Sequence, residues 1–187
     1  MRTRTKAFGT HHDSNCELCG LKFSFGTETL GNGDDDHNRR RSLLGCLKFT
    51  FGCDILTETY KVVEFCAERD EENNSPWRSR VRVLSLSDDC WRNINSFPLI
   101  PLISPFNNGV YLSGTIYWLA IQNYFYPFYD HKSITHVDQF KIVSLDLSTE
   151  TYMQFCLPFA FDEVPSFQPT LPVLLDRLCF SHDFKET

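Results

Sequence analysis

Hydrophobic and polar positions are organised most clearly in residues 107–120, NNGVYLSGTIYWLA, where two apolar runs meet at Ser113-Gly114. A two-residue connection ending in glycine between such runs predicts a β-hairpin. With Ser113 and Gly114 as the turn, Leu112 is expected opposite Thr115, Tyr111 opposite Ile116, Val110 opposite Tyr117 and Gly109 opposite Trp118. Cross-strand partners share a face. Val110, Leu112, Thr115 and Tyr117 then line one side, and Tyr111, Ile116 and Trp118 the other. Neither side reads as solvated, and a ribbon apolar on both faces has to be enclosed between layers.

Other runs follow the same scheme of strand, polar turn, aromatic and strand. RVRVLSL at 80–86 alternates, Ser87-Asp88-Asp89 turns, and CWRNI at 90–94 resumes; residues 140–147 and 174–180 each read as one strand. LKFTFG at 47–52 predicts a strand with Leu47, Phe49 and Phe51 on one face. LKFSFG at 21–26 echoes it, either as a paired strand or as a repeat fragment with no partner. DILTETY at 54–60 recurs as DLSTETY at 146–152, each followed by a further apolar run, and the offset of 92 (146 − 54) is twice 46. A period near 46 belongs to propeller blades, in which each repeat is one small antiparallel sheet that cannot bury its own faces. The Asp and Thr side chains of the repeated motif are suited to bonding turn amides.

Residues 68–79 are charged, rich in Asn and contain Pro76, so they read as an exposed hairpin loop carrying Trp77. Residues 123–135 form a second long connection, and 158–172, with four prolines, a third. Residues 1–43 show little apolar period and read as an irregular N-terminal arm, with a single domain from 44 to 187.

Composition agrees with a β-rich globular chain: 187 residues, 42% hydrophobic and 14% aromatic, with 17 Phe. Eighteen basic against 24 acidic side chains leave a formal charge of −6, which argues against a nucleic-acid or anionic-membrane surface. No apolar leader opens the chain, and the most apolar run, 97–106, holds three prolines and is far too short to span a bilayer. The eight cysteines therefore read as reduced thiols of a cytoplasmic or nuclear protein, most of them small core hydrophobes.

GCDILTETYKVV at 52–63, VLSLSDDCWRNI at 83–94, NNGVYLSGTIYWLA at 107–120, IVSLDLSTETY at 142–152 and LCFSHDF at 178–184 together resemble the plant F-box-associated interaction domain. That is the kelch-like β-propeller half of plant F-box proteins. The resemblance covers residues 44–187 and implies an all-β, partial kelch-like propeller of two to three blades. It implies a non-enzymatic module that recognises a substrate protein for an SCF-type ubiquitin ligase. In that family a helical F-box of about 40–50 residues grips the adaptor subunit; residues 1–43 contain no such run, so adaptor binding is not expected. The family domain continues with further strands beyond LCFSHDFKET, so the chain is expected to be a fragment whose strand edge after Phe180 lacks a partner, an aggregation liability.

The residues that bear on chemistry are few. Cys16 and Cys19 form a CxxC, with His11, His12, His37 and Cys46 as further nitrogen and sulfur donors for zinc. A second spaced pair is missing, so no cofactor is expected, and a zinc-binding adaptor stays as an alternative. Asp130, His131, His136 and Asp138 crowd one loop, in a spacing that matches no metal motif, and read as solvated; their convergence would favour a propeller-based enzyme. No Gly-x-Ser-x-Gly elbow or phosphate-binding glycine loop occurs. Arg39-Arg40-Arg41-Ser42 reads as a solvated turn. For binding, the residues singled out are Trp77, Tyr124, Phe125, Tyr126, Phe128, Tyr129 and His131, since exposed aromatics anchor interfaces; the alternative is that they pack beneath their own loops.

Overall fold

The computed structural model describes residues 2–8, 43–70, 76–88, 90–103, 107–124, 126–157 and 163–184. Its strands are β1 (Arg2–Phe8), β2 (Leu43–Asp54), β3 (Thr59–Asp70), β4 (Arg78–Ser85), β5 (Arg92–Ile94), β6 (Val110–Leu112), β7 (Thr115–Ile121), β8 (Phe140–Asp146), β9 (Tyr152–Cys156), β10 (Val173–Leu174) and β11 (Arg177–Phe184). Two short 3-10 turns, His131–Ser133 and Val137–Gln139, are the helical elements of the described residues. The strands make three antiparallel sheets: β2-β3-β4-β5, β6-β7-β8-β9 and β1-β11-β10. The fold is all-β, a partial propeller of small sheets.

The central ribbon folds as the pattern predicts. Val110 pairs with Tyr117, Tyr111 with Ile116 and Leu112 with Thr115. Ser113 and Gly114 both take positive φ, 46° and 81°, the backbone a tight two-residue hairpin turn requires. The ladder starts at Val110, so Gly109 stands outside it. Gly109 has φ 87°, and a Cβ there would lie 2.7 Å from Trp118 Cε2.

Both faces of the second sheet are covered. Tyr111, Ile116, Trp118, Val143, Leu145 and Leu147 pack with Val63, Phe65, Val81 and Val83 of the first sheet, with Phe97 between them. On the other face, Leu112, Leu119, Ile121, Phe140 and Ile142 pack with Leu171, Leu178 and Phe180, the last two from the third sheet. Each such large apolar side chain contributes about 1.5–3 kcal/mol on burial, so the middle sheet is where two cores meet.

Several expectations change. Arg2–Phe8 is a strand rather than irregular backbone, and it pairs along β11 from Arg2↔Phe184 to Phe8↔Leu178. The strand edge after Phe180 is therefore occupied. The segment 174–180 is not one strand: Leu175 and Asp176, with φ 50° and 55°, turn the chain between β10 and β11. In β2 the faces are reversed from the apolar reading: Lys48, Thr50 and Gly52 are buried, while Leu47, Phe49 and Phe51 are only half-buried. The second sheet presses on that small and polar side. Lys48 Nζ donates to Asn108 Oδ1 at 3.0 Å, Thr50 Oγ1 donates to the Asn108 carbonyl, and a Cβ on Gly52 would lie 2.6 Å from Leu147 Cδ1 and Tyr111 Cδ2. The loop expected over 68–79 is shorter, since β3 runs to Asp70 and β4 starts at Arg78. The echo at 21–26 lies outside the described residues.

Candidate functional site

Because β2 to β5 and β6 to β9 are both consecutive antiparallel strands, each sheet has two ends. At one end stand the long β3–β4 and β7–β8 connections; at the other stand short turns. The described aromatic residues among those singled out from the sequence gather at the first end, and the repeated motif builds the second.

At the loop end, Trp77 is buried and meets the Phe128 ring edge-on, centroids 5.9 Å apart. That contact joins the β3–β4 loop of one sheet to the β7–β8 loop of the next. The Trp77 indole nitrogen is buried with no hydrogen-bond partner among the described residues, and the ring packs. Beyond it, Tyr124 and Tyr126 sit 6.1 Å apart. The Tyr124 hydroxyl donates to the Phe128 carbonyl at 2.7 Å and accepts from the Asp130 amide at 2.9 Å, which fixes the loop's path. Tyr129 is half-buried; its hydroxyl donates to the Pro165 carbonyl, and its ring lies 6.3 Å from Phe140. Burial pushes the Tyr129 hydroxyl well above the ordinary tyrosine range, so it stays a donor. Tyr126 and Phe128 are 55% and 44% exposed, more than pinned core aromatics would be.

His131 is exposed in the 3-10 turn that Asp130 caps: Asp130 Oδ1 accepts from the Lys132 amide at 3.0 Å, and Oδ2 from the Ser133 hydroxyl at 2.6 Å. These bonds, from Ser133 first, hold the Asp130 carboxyl below its usual range. Asp130 is thus engaged in local capping. His136 begins the next turn, where its amide donates to Gln139 Oε1 at 2.9 Å. Among the described residues no group of three or more His, Cys, Asp or Glu side chains is placed to hold a metal ion. Phe125, Cys16 and Cys19 lie outside the described residues. The five cysteines whose side chains are described, Cys53, Cys66, Cys90, Cys156 and Cys179, form no disulfide.

At the turn end, the two copies of Asp-x-x-Thr-x-Thr-Tyr adopt one conformation. Asp54 Oδ1 accepts from the amides of Leu56 and Thr57, and Asp146 Oδ1 from those of Ser148 and Thr149. The hydroxyls of Thr57 and Thr59 are 2.7 Å apart, as are those of Thr149 and Thr151. Glu58 and Glu150 both take the left-handed backbone, φ 53° and 54°. The copies also touch. Ser148 donates its hydroxyl to Asp54 at 2.6 Å, and Lys61 Nζ bridges Asp54 at 3.1 Å and Glu150 at 3.2 Å while donating to the Leu147 carbonyl. Arg92 grips the Glu150 carboxylate with two bonds, 2.7 and 2.9 Å. Burial opposes ionisation of Asp54, but hydrogen bonds from Ser148, Lys61, Thr57 and Leu56 outweigh it and bring its pKa down to about 2. The Arg92 bonds hold Glu150 below its usual range as well. The sequence repeat pointed to this turn; what it could not show was that a lysine and an arginine from the first sheet would lock onto the second copy.

The two sheets are thus joined at one end by an aromatic contact and at the other by a charged clasp. The family model of the F-box associated beta propeller domain matches residues 36–183. An F-box protein of Arabidopsis thaliana is 28% identical over 154 residues, which cover 79% of this chain and 42% of that protein. The chain therefore spans less than half the length of that curated relative. No solved structure matches the chain. No described helix is long and apolar enough to cross a membrane. The match over most of its length shows that the chain belongs to the F-box associated β-propeller domain family.

Proposed function

We propose that this chain is the substrate-recognition part of an F-box type protein, and that it holds its target protein at the loop end of the sheets. The observation that carries the reading is the Trp77–Phe128 contact. It joins two loops from different sheets into one surface and leaves Tyr126 and Phe128 exposed on it. Rigid aromatics of this kind give large contact area at small entropic cost. Tyr124 and Tyr129 set the loop's path, Trp77 supports it from below, and Phe125 and His131 belong to the same segment. The module acts by binding, without a cofactor, and its target is a protein rather than a nucleic acid or a membrane. Residues 44–187 carry the recognition domain, with Arg2–Phe8 completing its third sheet.

The link to an SCF ubiquitin ligase belongs to this proposal. Residues 1–43 carry no leucine- and proline-rich helical run, so this polypeptide by itself is expected not to bind the SCF adaptor. The test has two arms in plant extract. In the first, the wild-type chain and a Tyr126→Ala/Phe128→Ala variant of equal thermal stability are compared as baits. A protein retained by the wild type and lost by the variant supports the loop end, and identical capture by both overturns it. In the second, the adaptor is sought among the proteins retained; its robust recovery would contradict the expectation for residues 1–43.

A further inference from the structure

We propose a second protein-docking surface at the turn end, distinct from the aromatic loops and independent of whether those loops bind a target. Its occupant is a basic amphipathic segment, aliphatic side chains flanked by lysine or arginine. Aliphatic side chains that would ordinarily be inside are outside here: Ile55 at 44% exposure, Leu56 at 77% and Leu86 at 56%. Leu86 neighbours the β2–β3 turn through its amide, which donates to the Tyr60 carbonyl at 2.8 Å. Ile55 lies against Gly114, where a Cβ would be 3.1 Å from its Cγ1. Ile55 and Leu56 therefore occupy the β2–β3 turn, which meets the β6–β7 turn at Gly114, and Leu86 opens the β4–β5 turn on the other side of β3.

These positions are held firmly. The Asp54 side chain fixes the turn that carries Ile55 and Leu56, and Ser148 and Lys61 fix Asp54 from the β8–β9 turn and from β3. A surface that does not have to be ordered on association loses less entropy when a partner arrives. Leu56 and Leu86, each more than half exposed, gain little from folding where they stand, so contact with a partner explains them better.

Charge identifies the occupant. In the described parts of the four turns the cations are Lys61 and Arg92, and the carboxylates are Asp54, Glu58, Asp88, Asp146 and Glu150. Lys61 is buried among Asp54, Glu150 and the Leu147 carbonyl, and Arg92 is committed to Glu150. Glu58 and Asp88 are exposed beside the apolar tips. An incoming segment therefore meets aliphatic groups rimmed by negative charge, and complementary positive charge both steers it and fixes its register.

The test uses the full chain and a synthetic peptide alternating leucine with lysine. Two control peptides replace every lysine by glutamate or every leucine by serine. The leucine-lysine peptide is expected to bind, and both controls to bind at least about tenfold more weakly. Leu56→Ser and Leu86→Ser should each weaken the peptide about tenfold at unchanged Tm, as should Glu58→Lys. Equal binding of the glutamate peptide, retention of binding by the serine peptide, or no binding of the leucine-lysine peptide overturns the proposal. So does affinity that survives Leu56→Ser and is lost in the Tyr126→Ala/Phe128→Ala variant, which would move the peptide to the aromatic end. Self-association of the chain abolished by Leu56→Ser overturns it too, because the occupant would then be a second copy.

Discussion

Ser148 donates its hydroxyl to Asp54, 94 positions earlier in the chain, across 2.6 Å, so two copies of one turn hold each other. The repeat is therefore an interaction as well as a resemblance. The consequence is an asymmetry: Asp54 caps its own turn and anchors the neighbouring sheet, whereas the bonds of Asp146 stay within its own turn.

Removing the two aspartates should show it. Asp54→Ala takes a carboxylate away from the buried Lys61 and is expected to cost about 3–5 kcal/mol. Asp146→Ala loses turn bonds alone and should cost about 1–2 kcal/mol. Urea unfolding of both variants measures the difference; equal costs would mean the clasp contributes nothing beyond turn formation.

Acid should open the clasp. Asp54 titrates at about 2 in the folded chain against an ordinary 3.8, and Glu150 below its ordinary 4.5. Both folded values lie under the unfolded ones, so the unfolded state takes up protons first and stability falls as pH drops. The contribution is complete above about pH 4.5 and disappears progressively towards pH 2. Denaturant midpoints across that range should decline in the wild type and decline less steeply in Asp54→Asn.

Backbone strain gives predictions of opposite sign. Ser113→Asn suits the positive φ of its turn and should stabilise by about 0.5–1 kcal/mol. Leu175→Asn should do the same, since a leucine at φ 50° pays for a conformation that asparagine adopts readily. Gly109→Ala combines a φ of 87° with a collision against Trp118 and should cost about 2 kcal/mol or more. Thermal melts of the three variants check the signs.

Glu64 is buried on β3 and accepts from Arg82 Nε at 2.7 Å, with the Arg82 guanidinium 5.2 Å from the Trp91 ring centre. Arg82→Ala leaves that carboxylate buried without its cation and is expected to cost about 3 kcal/mol or more. Arg82→Lys keeps the charge but loses the two-pronged geometry, so it should recover only part of the loss. Full recovery by lysine, read from the same unfolding curves, would contradict the role given to the guanidinium.

Where chain chemistry is local, the sequence was a good guide. Ser113-Gly114 between apolar runs predicts a register that the ladder reproduces, and the two Thr-Glu-Thr-Tyr segments share one turn geometry, although Glu58 is exposed where Glu150 is held by Lys61 and Arg92. Errors came where a neighbouring sheet sets the rule. Phe49 and Phe51 look like a core face, yet Thr50 and Gly52 face the second sheet because only small or bonded groups fit against Tyr111, Leu147 and Asn108. The β10–β11 turn carried no Gly or Asn to announce it, being made by Leu175 and Asp176. Arg2–Phe8, with little apolar period of its own, is a strand because β11 offers it an edge. At the candidate site, the crowding of aromatics in 124–129 was legible, but the burial of Trp77 beneath Phe128 depends on two loops distant in sequence.

The pairing of Arg2–Phe8 with Arg177–Phe184 sets a timetable for synthesis. The strand Arg2–Phe8 has to wait, unmatched, until residues 177–184 have been made, whereas the other two sheets can assemble from contiguous segments as they appear. Translation arrested before residue 177 would then leave Arg2–Phe8 without its partner strand while the other two sheets have all their strands.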